Sequence, residues 1–157
     1  MENEVFTRVM ELYIDDVFRV AYSICQNISD SEDISQTVFE KLYVSETAFV
    51  DDEHIKKWLI AVTVNESRSL MRTVWKRKVD YYLPEGGVKR GSHENDERLA
   101  KALIQLKDKY RILIHLYYYE DMDVREIAET LKMSESSVKT GLHRARKQLK
   151  KKMESEE

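Results

Sequence analysis

The position of its backbone breakers limits this chain more than any other feature. Of 157 residues only four are glycine and one is proline. Pro84, Gly86, Gly87 and Gly91 lie together, and Gly141 stands apart. These two residue types interrupt regular backbone most readily, one through excess freedom and the other through a missing N–H. Residues 1–78 contain neither and carry apolar residues at helical spacing throughout. The stretch 79–96, with Pro84-Glu85-Gly86-Gly87 in its middle, reads as a flexible linker. The expected fold is all-α: two small helical domains, residues 1–78 and 97–157, joined by that linker.

The first domain divides into three predicted helices. Phe6, Val9, Tyr13, Val17, Val20, Ala21 and Ile24 form the apolar stripe of a helix from Asn3 to Asn27. Ser29-Asp30-Ser31-Glu32 has the form of a capping box and is expected to start a second helix through Ile34, Val38, Phe39 and Leu42. The wet face of that helix carries Asp33, Gln36 and Glu40. A loop from Val44 to Glu53, containing Phe49 and Asp51-Asp52, precedes a third helix from His54 through Lys78. Ile55, Trp58, Leu59 and Val62 pack inward near its start, followed by Asn65, Arg68, Ser69, Arg72, Trp75, Lys76 and Arg77. Asn and Arg beside an exposed aromatic suit single-stranded nucleic acid, by stacking plus phosphate neutralisation. A core Trp beside a snorkelling basic face would give the same pattern.

In the second domain Leu99, Ala102, Leu103 and Leu106 predict a short helix. Asp108 is expected to cap the next, whose content is Tyr110, Ile112, Leu113, Leu116 and Tyr117. Asp123, with Glu126 three residues on, forms a capping box for a helix with Ile127, Ala128 and Leu131 on its apolar face. Lys132-Met133 make a turn, and Ser134 caps a last helix in which Val138, Leu142, Ala145 and Leu149 form the buried stripe. The opposite face carries Ser136, Ser137, Lys139, Thr140, His143, Arg144 and Lys147. From Ser136 to Met153 there are basic residues and no acid. A short helix, a tight turn and a basic second helix that opens on small polar residues is a helix-turn-helix. Its small polar residues can approach base edges while Lys and Arg hold phosphates. The domain is expected to be a four-helix unit, because a helix pair this short cannot bury enough surface alone.

The net charge of −3 conceals a polarity. Residues 1–60 hold thirteen acids against five bases, whereas Arg68, Arg72, Lys76, Arg77 and Lys78 form one basic block and the C-terminal helix another. This points to two nucleic-acid contacts and a separate partner for the acidic face. Cys25 is the only cysteine, which excludes an intrachain disulfide and a Cys-based zinc site; it falls on an apolar face and reads as core. His54, His93, His115 and His143 are scattered, with no metal-binding spacing, and no nucleophile–base pair or glycine-rich phosphate loop occurs. No catalytic residue, metal or cofactor is expected. Glu2 and Glu4 stand where a signal peptide would be basic. No apolar run approaches the ~20 residues that span a bilayer. A cytoplasmic protein, not itself a membrane protein, is expected.

Taken together these residues resemble a known family, the extracytoplasmic-function group of small two-domain sigma factors in the sigma-70 family. Ser31-Glu32-Asp33-Ile34-Ser35-Gln36-Thr37-Val38-Phe39 resembles its region 2.2, and Trp58-Leu59 with Ala61, Asn65 and Arg72 resembles regions 2.3 and 2.4. Ala102 through Lys147 resembles region 4, including Tyr110-Arg111, Glu126-Ile127-Ala128, Val138-Lys139 and His143-Arg144-Ala145-Arg146. The resemblance implies that Asp33, Gln36 and Glu40 bind core RNA polymerase, through the clamp helices of its largest subunit. It implies that Phe49, Asn65, Arg68, Arg72 and Lys76 open and hold the −10 element of promoter DNA. It assigns the −35 element to Ser136, Ser137, Lys139, Thr140, His143, Arg144 and Lys147. It also implies control by an anti-sigma factor.

Several positions depart from the family pattern. Lys107 stands where Pro is usual, and the loop has Val50-Asp51-Asp52 where basic or small residues are common. Lys132 replaces the usual Gly of the turn, so it must take positive φ, at about 1 kcal/mol, or the turn must differ. Gly141 occupies a position where many members carry Arg, and is expected to remove one phosphate contact. A helix-turn-helix regulator that is not a polymerase subunit would explain residues 96–153 but gives no reason for the acidic helix or the Asn/Arg/Trp helix. A polymerase-binding protein that has lost promoter recognition, and a helical metal-dependent hydrolase or nuclease, are further alternatives.

Overall fold

The computed structural model describes residues 1–73 and 93–155, with side chains in the second stretch from 97 onward. Trp75, Lys76 and residues 79–92 of the expected linker lie outside the described residues. The chain divides into two compact units, 1–78 and 79–157.

The first unit packs three helices against one another: α1 (Asn3–Cys25), α2 (Ile28–Val44) and α3 (Asp52–Thr73). Val9, Val17, Val20, Val38, Leu42, Leu59, Ile60 and Val64 are fully enclosed at their centre. Cys25 is buried among them, as expected. Small hydroxyls enter this core by returning to their own helix. Thr63 Oγ1 donates to the Leu59 carbonyl (2.6 Å) and Ser35 Oγ to that of Ser31 (2.8 Å), so neither is left unsatisfied.

The turn between α1 and α2 is tighter than expected. Gln26 takes the left-handed conformation (φ 51°) and its N–H closes on the Tyr22 carbonyl. Asn27, not Ser29, caps α2, its Oδ1 accepting from the Asp30 N–H at 2.9 Å. Ser29 lies inside the helix. Arg8 of α1 grips Asp52 at the start of α3 with two bonds of 2.9 and 3.1 Å. Tyr13 Oη donates to the Asp52 carbonyl, and Lys41 of α2 pairs with Glu66 of α3.

The second unit has α4 (His93–Gln105), α5 (Asp108–Ile114), α6 (Val124–Leu131) and α7 (Glu135–Ser155). Residues 93–96, read as linker, are thus helical. Lys107 holds the cap position of α5, without a side-chain cap bond, and Asp108 is the first helical residue. Asp108 instead pairs with Arg111 (2.6 Å), whose buried guanidinium also donates to the Leu106 carbonyl, closing the α4–α5 corner. α5 runs on into a π-helical turn, His115–Tyr119, which buries His115 3.6 Å from the enclosed Glu120 carboxylate. α7 packs on α4, α5 and α6, and so is fixed from several sides.

Candidate nucleic-acid interface

The turn before α7 is built by three local devices. Asp123 Oδ1 accepts from the Glu126 N–H (2.8 Å) while Glu126 Oε1 accepts from the Asp123 N–H (3.2 Å), the expected capping box. Lys132 takes φ 56°, ψ 49°, and its N–H bonds the Ala128 carbonyl. The strain expected of a non-glycine residue is therefore present in the turn. Ser134 Oγ accepts from the Ser137 N–H at 3.0 Å and starts α7. Val138, Leu142 and Ala145 turn into the core. Ser136, Ser137, Lys139, Thr140, His143, Arg144 and Lys147 are all exposed on α7. The seven side chains expected to face DNA thus share the wet side of one helix.

Two residues of the same run behave differently. Gly141 is buried, and a Cβ there would stand 2.5 Å from Leu113 Cδ1. The expectation that Gly141 subtracts a phosphate contact is corrected: the position faces α5, and its missing side chain allows the helices to approach. Arg146 is turned toward the π-helical segment. Its Nε donates to Tyr118 Oη (2.6 Å), and its guanidinium lies 5.2 Å and 5.5 Å from the Tyr117 and Tyr118 ring centres.

In the first unit, Asn65 and Arg72 are exposed and Arg68 is half-buried on α3, at spacings of three and four that set them along one side. Lys76 lies outside the described residues. Phe49 is half-buried, with its ring edge-on to His54 (5.2 Å) and to Trp58 (5.7 Å). Trp58 thus belongs with the loop as much as with the core. The Asp52 carboxyl at the start of α3 is held below the usual carboxylate range by its hydrogen bond to Arg8. Tyr13 is pushed up, mainly by burial and then by the Asp52 charge.

On α2, Asp33, Gln36 and Glu40 are exposed, and Gln36 Nε2 donates to Glu40 Oε1 at 3.1 Å. Sequence reasoning missed what adjoins them. Phe6, Met10, Ile14, Phe18, Phe39 and Tyr43 line an apolar groove between α1 and α2, with Gln36 and Glu40 on its rim. Its signal was a second stripe, Met10, Ile14 and Phe18, four residues apart beside the core stripe of α1. Among the described residues, no group of three His, Cys, Asp or Glu is placed to hold a metal ion, and no helix is long and apolar enough to cross a membrane.

Comparison with known proteins agrees with this arrangement. Residues 9–77 match the family model described as Sigma-70 region 2, and residues 96–149 match Sigma-70, region 4. The extracytoplasmic-function sigma factor SigW of Bacillus subtilis is 28% identical, over 97% of this chain and 90% of that protein. SigV of the same organism is 31% identical, over 84% of this chain and 81% of that protein. Among solved structures, the sigma factor RpoE of Bartonella quintana, determined with the anti-sigma factor NepR, superposes with a TM-score of 0.75. It is 20% identical and covers 96% of this chain and 98% of its own. CnrH, determined with the cytosolic domain of CnrY, gives 0.72 at 21% identity, over 99% and 92% of the two chains. Two family regions in the right order, each on its own helical unit, settle the assignment: the chain belongs to the extracytoplasmic-function group of the sigma-70 family, the sigma factors of RNA polymerase.

Proposed function

We propose that this chain directs promoter-specific initiation with a division of labour between its units. Residues 1–78 bind core polymerase through Asp33, Gln36 and Glu40 of α2. They capture the opened −10 element with Phe49, Asn65, Arg68, Arg72 and Lys76. Residues 97–157 read the −35 element with Ser136, Ser137, Lys139, Thr140, His143, Arg144 and Lys147, and residues 79–96 join the two. The observation that carries this reading is α7: seven exposed polar or basic side chains on one face, with Val138, Gly141, Leu142 and Ala145 buried on the other.

Each contact is individually weak, and the molecule is acidic overall. Affinity for a promoter arises when polymerase holds both units at a fixed spacing and makes the second contact intramolecular. Opening DNA needs no bond chemistry from the chain, because capture of unstacked bases offsets an unstacking cost of a few kcal/mol. The chain therefore acts in the cytoplasm without catalytic groups, metal or cofactor of its own. RpoE was solved with the anti-sigma factor NepR, and CnrH with the cytosolic domain of CnrY. By analogy an anti-sigma factor controls this chain, and the apolar groove beside Gln36 and Glu40 offers it a helix-sized seat on the polymerase-binding face.

In vitro transcription tests the proposal. Purified chain, sigma-free core polymerase and fragmented genomic DNA are combined, and RNA 5′ ends are sequenced. Discrete starts that share two upstream motifs support it. Failure to bind core, together with dimeric binding to duplex DNA, overturns it in favour of a simple regulator.

A further inference from the structure

The loop 45–51 is held by side chains. Thr47 N–H donates to Ser45 Oγ at 3.1 Å, which shapes its start. Its end is organised around one imidazole. The Val50 N–H donates to His54 Nδ1 at 3.1 Å, and the His54 N–H donates to Asp51 Oδ1 at 2.8 Å. The Phe49 ring stands edge-on to the same imidazole, 5.2 Å between centres at 72°, and to Trp58, 5.7 Å at 82°. His54 therefore fixes the peptide that follows Phe49 and packs against the Phe49 ring.

Nδ1 can accept this bond only while it carries no proton. A protonated imidazole has donors on both nitrogens, so the Val50 N–H would meet another N–H and the bond would be lost. Imidazoles change charge between about pH 5 and 8. The titratable groups on the surrounding elements are Glu46 and Asp51 of the loop, Asp52, Glu53 and Lys57 of α3, and Arg8 and Tyr13 of α1. The last two are bonded to Asp52.

We propose that His54 is a positioning residue for −10 capture: its neutral imidazole latches the loop so that Phe49 is presented to DNA, and protonation releases it. This rests on the −10 role assigned above to the loop. Two substitutions separate the functions of the ring. His54→Asn keeps an acceptor close to the position of Nδ1 and cannot titrate. His54→Phe keeps an aromatic contact for Phe49 and removes the acceptor.

The test uses holoenzyme reconstituted from the full chain and core polymerase, on a promoter found in the transcription assay. A 2-aminopurine in the −10 element reports opening. From pH 8 to about pH 5.5 the wild-type chain should lose opening by about three- to tenfold, the value of one hydrogen bond. His54→Asn should hold one level of opening across this range, below wild type at pH 8 because the ring contact with Phe49 is lost, and His54→Phe should stay low throughout. Full opening by His54→Phe, or an unchanged pH profile in His54→Asn, overturns the latch. The free chain supplies a readout independent of polymerase: the Val50 amide resonance should move with pH in wild type and not in His54→Asn. If that shift is seen while no variant binds core, the sigma reading has failed and not the latch. If Val50 does not respond to pH, the latch itself is wrong.

Discussion

In the second unit the proposed DNA-reading surface is one face of a 21-residue helix whose other face is core. In the first unit it is divided between α3 and a loop tied to α3 by an imidazole and two aromatic rings. The reading side chains of α7 are positioned by backbone geometry alone: once Val138, Leu142 and Ala145 are buried, the direction of Lys139 and His143 follows. The direction of Phe49 depends on contacts that can be made or broken without unfolding anything. Duplex DNA offers a rigid groove and suits the first solution. A base that must leave its stack needs a receiver that can adjust, and suits the second.

The largest effect is expected from Leu142→Ala. Leu142 is 2% exposed, so its truncation should cost about 2–5 kcal/mol in thermal or urea unfolding and take −35 binding with it. Phe49→Ala should do the reverse. The half-buried ring contributes little to the core, but losing its stacking should reduce −10 opening by about 1–3 kcal/mol, read as 2-aminopurine fluorescence. Duplex −35 binding by the same variant should be unchanged. If Phe49→Ala instead melts the first unit, the contrast between a core-built and a contact-built surface is lost.

Lys132→Gly should stabilise the second unit by about 1 kcal/mol or less, because relief of the left-handed strain is partly offset by greater freedom of the unfolded chain. A loss of stability would mean that the Lys132 side chain contributes more than its backbone strain costs. The smallest effect concerns Arg8 and Asp52, both well exposed. The Asp52 carboxyl is depressed when folded, so its share of stability is present above the ordinary carboxylate range and disappears as pH falls through the folded value. Asp52→Asn should therefore be slightly less stable than wild type at pH 7, with the two curves converging in acid.

The all-helical plan, the domain-sized helical stretches and the caps at Asp123 and Ser134 were legible because each is written in neighbouring residues. Ser29 misled because Asn27 and Ser29 are both good caps; the choice fell to Gln26, whose left-handed backbone makes the turn short. Gly141 was readable and was misread. It follows Val138 by three and precedes Ala145 by four, which places it on the buried stripe, but analogy with Arg-bearing relatives placed it on the wet face. The turn of Arg146 toward Tyr117 and Tyr118, and the grip of His54 on Val50, had no local signal. The first joins residues 28 apart, and the second depends on how a loop folds back on its helix.

The contact between Gly141 and Leu113 has a consequence for modular engineering. Promoter preference in such a protein looks transferable by grafting one recognition helix onto another chain. Here the graft boundary would cut through a close contact, because a Cβ at 141 would stand 2.5 Å from Leu113 Cδ1 and the end of the Leu113 side chain would have to shift to admit it. A donor helix bearing a larger residue at 141 would arrive with the right letters and require Leu113 to repack beneath it. On the role proposed for α7, the unit to exchange is α7 together with the α5 surface beneath it, so that position 141 and Leu113 stay matched.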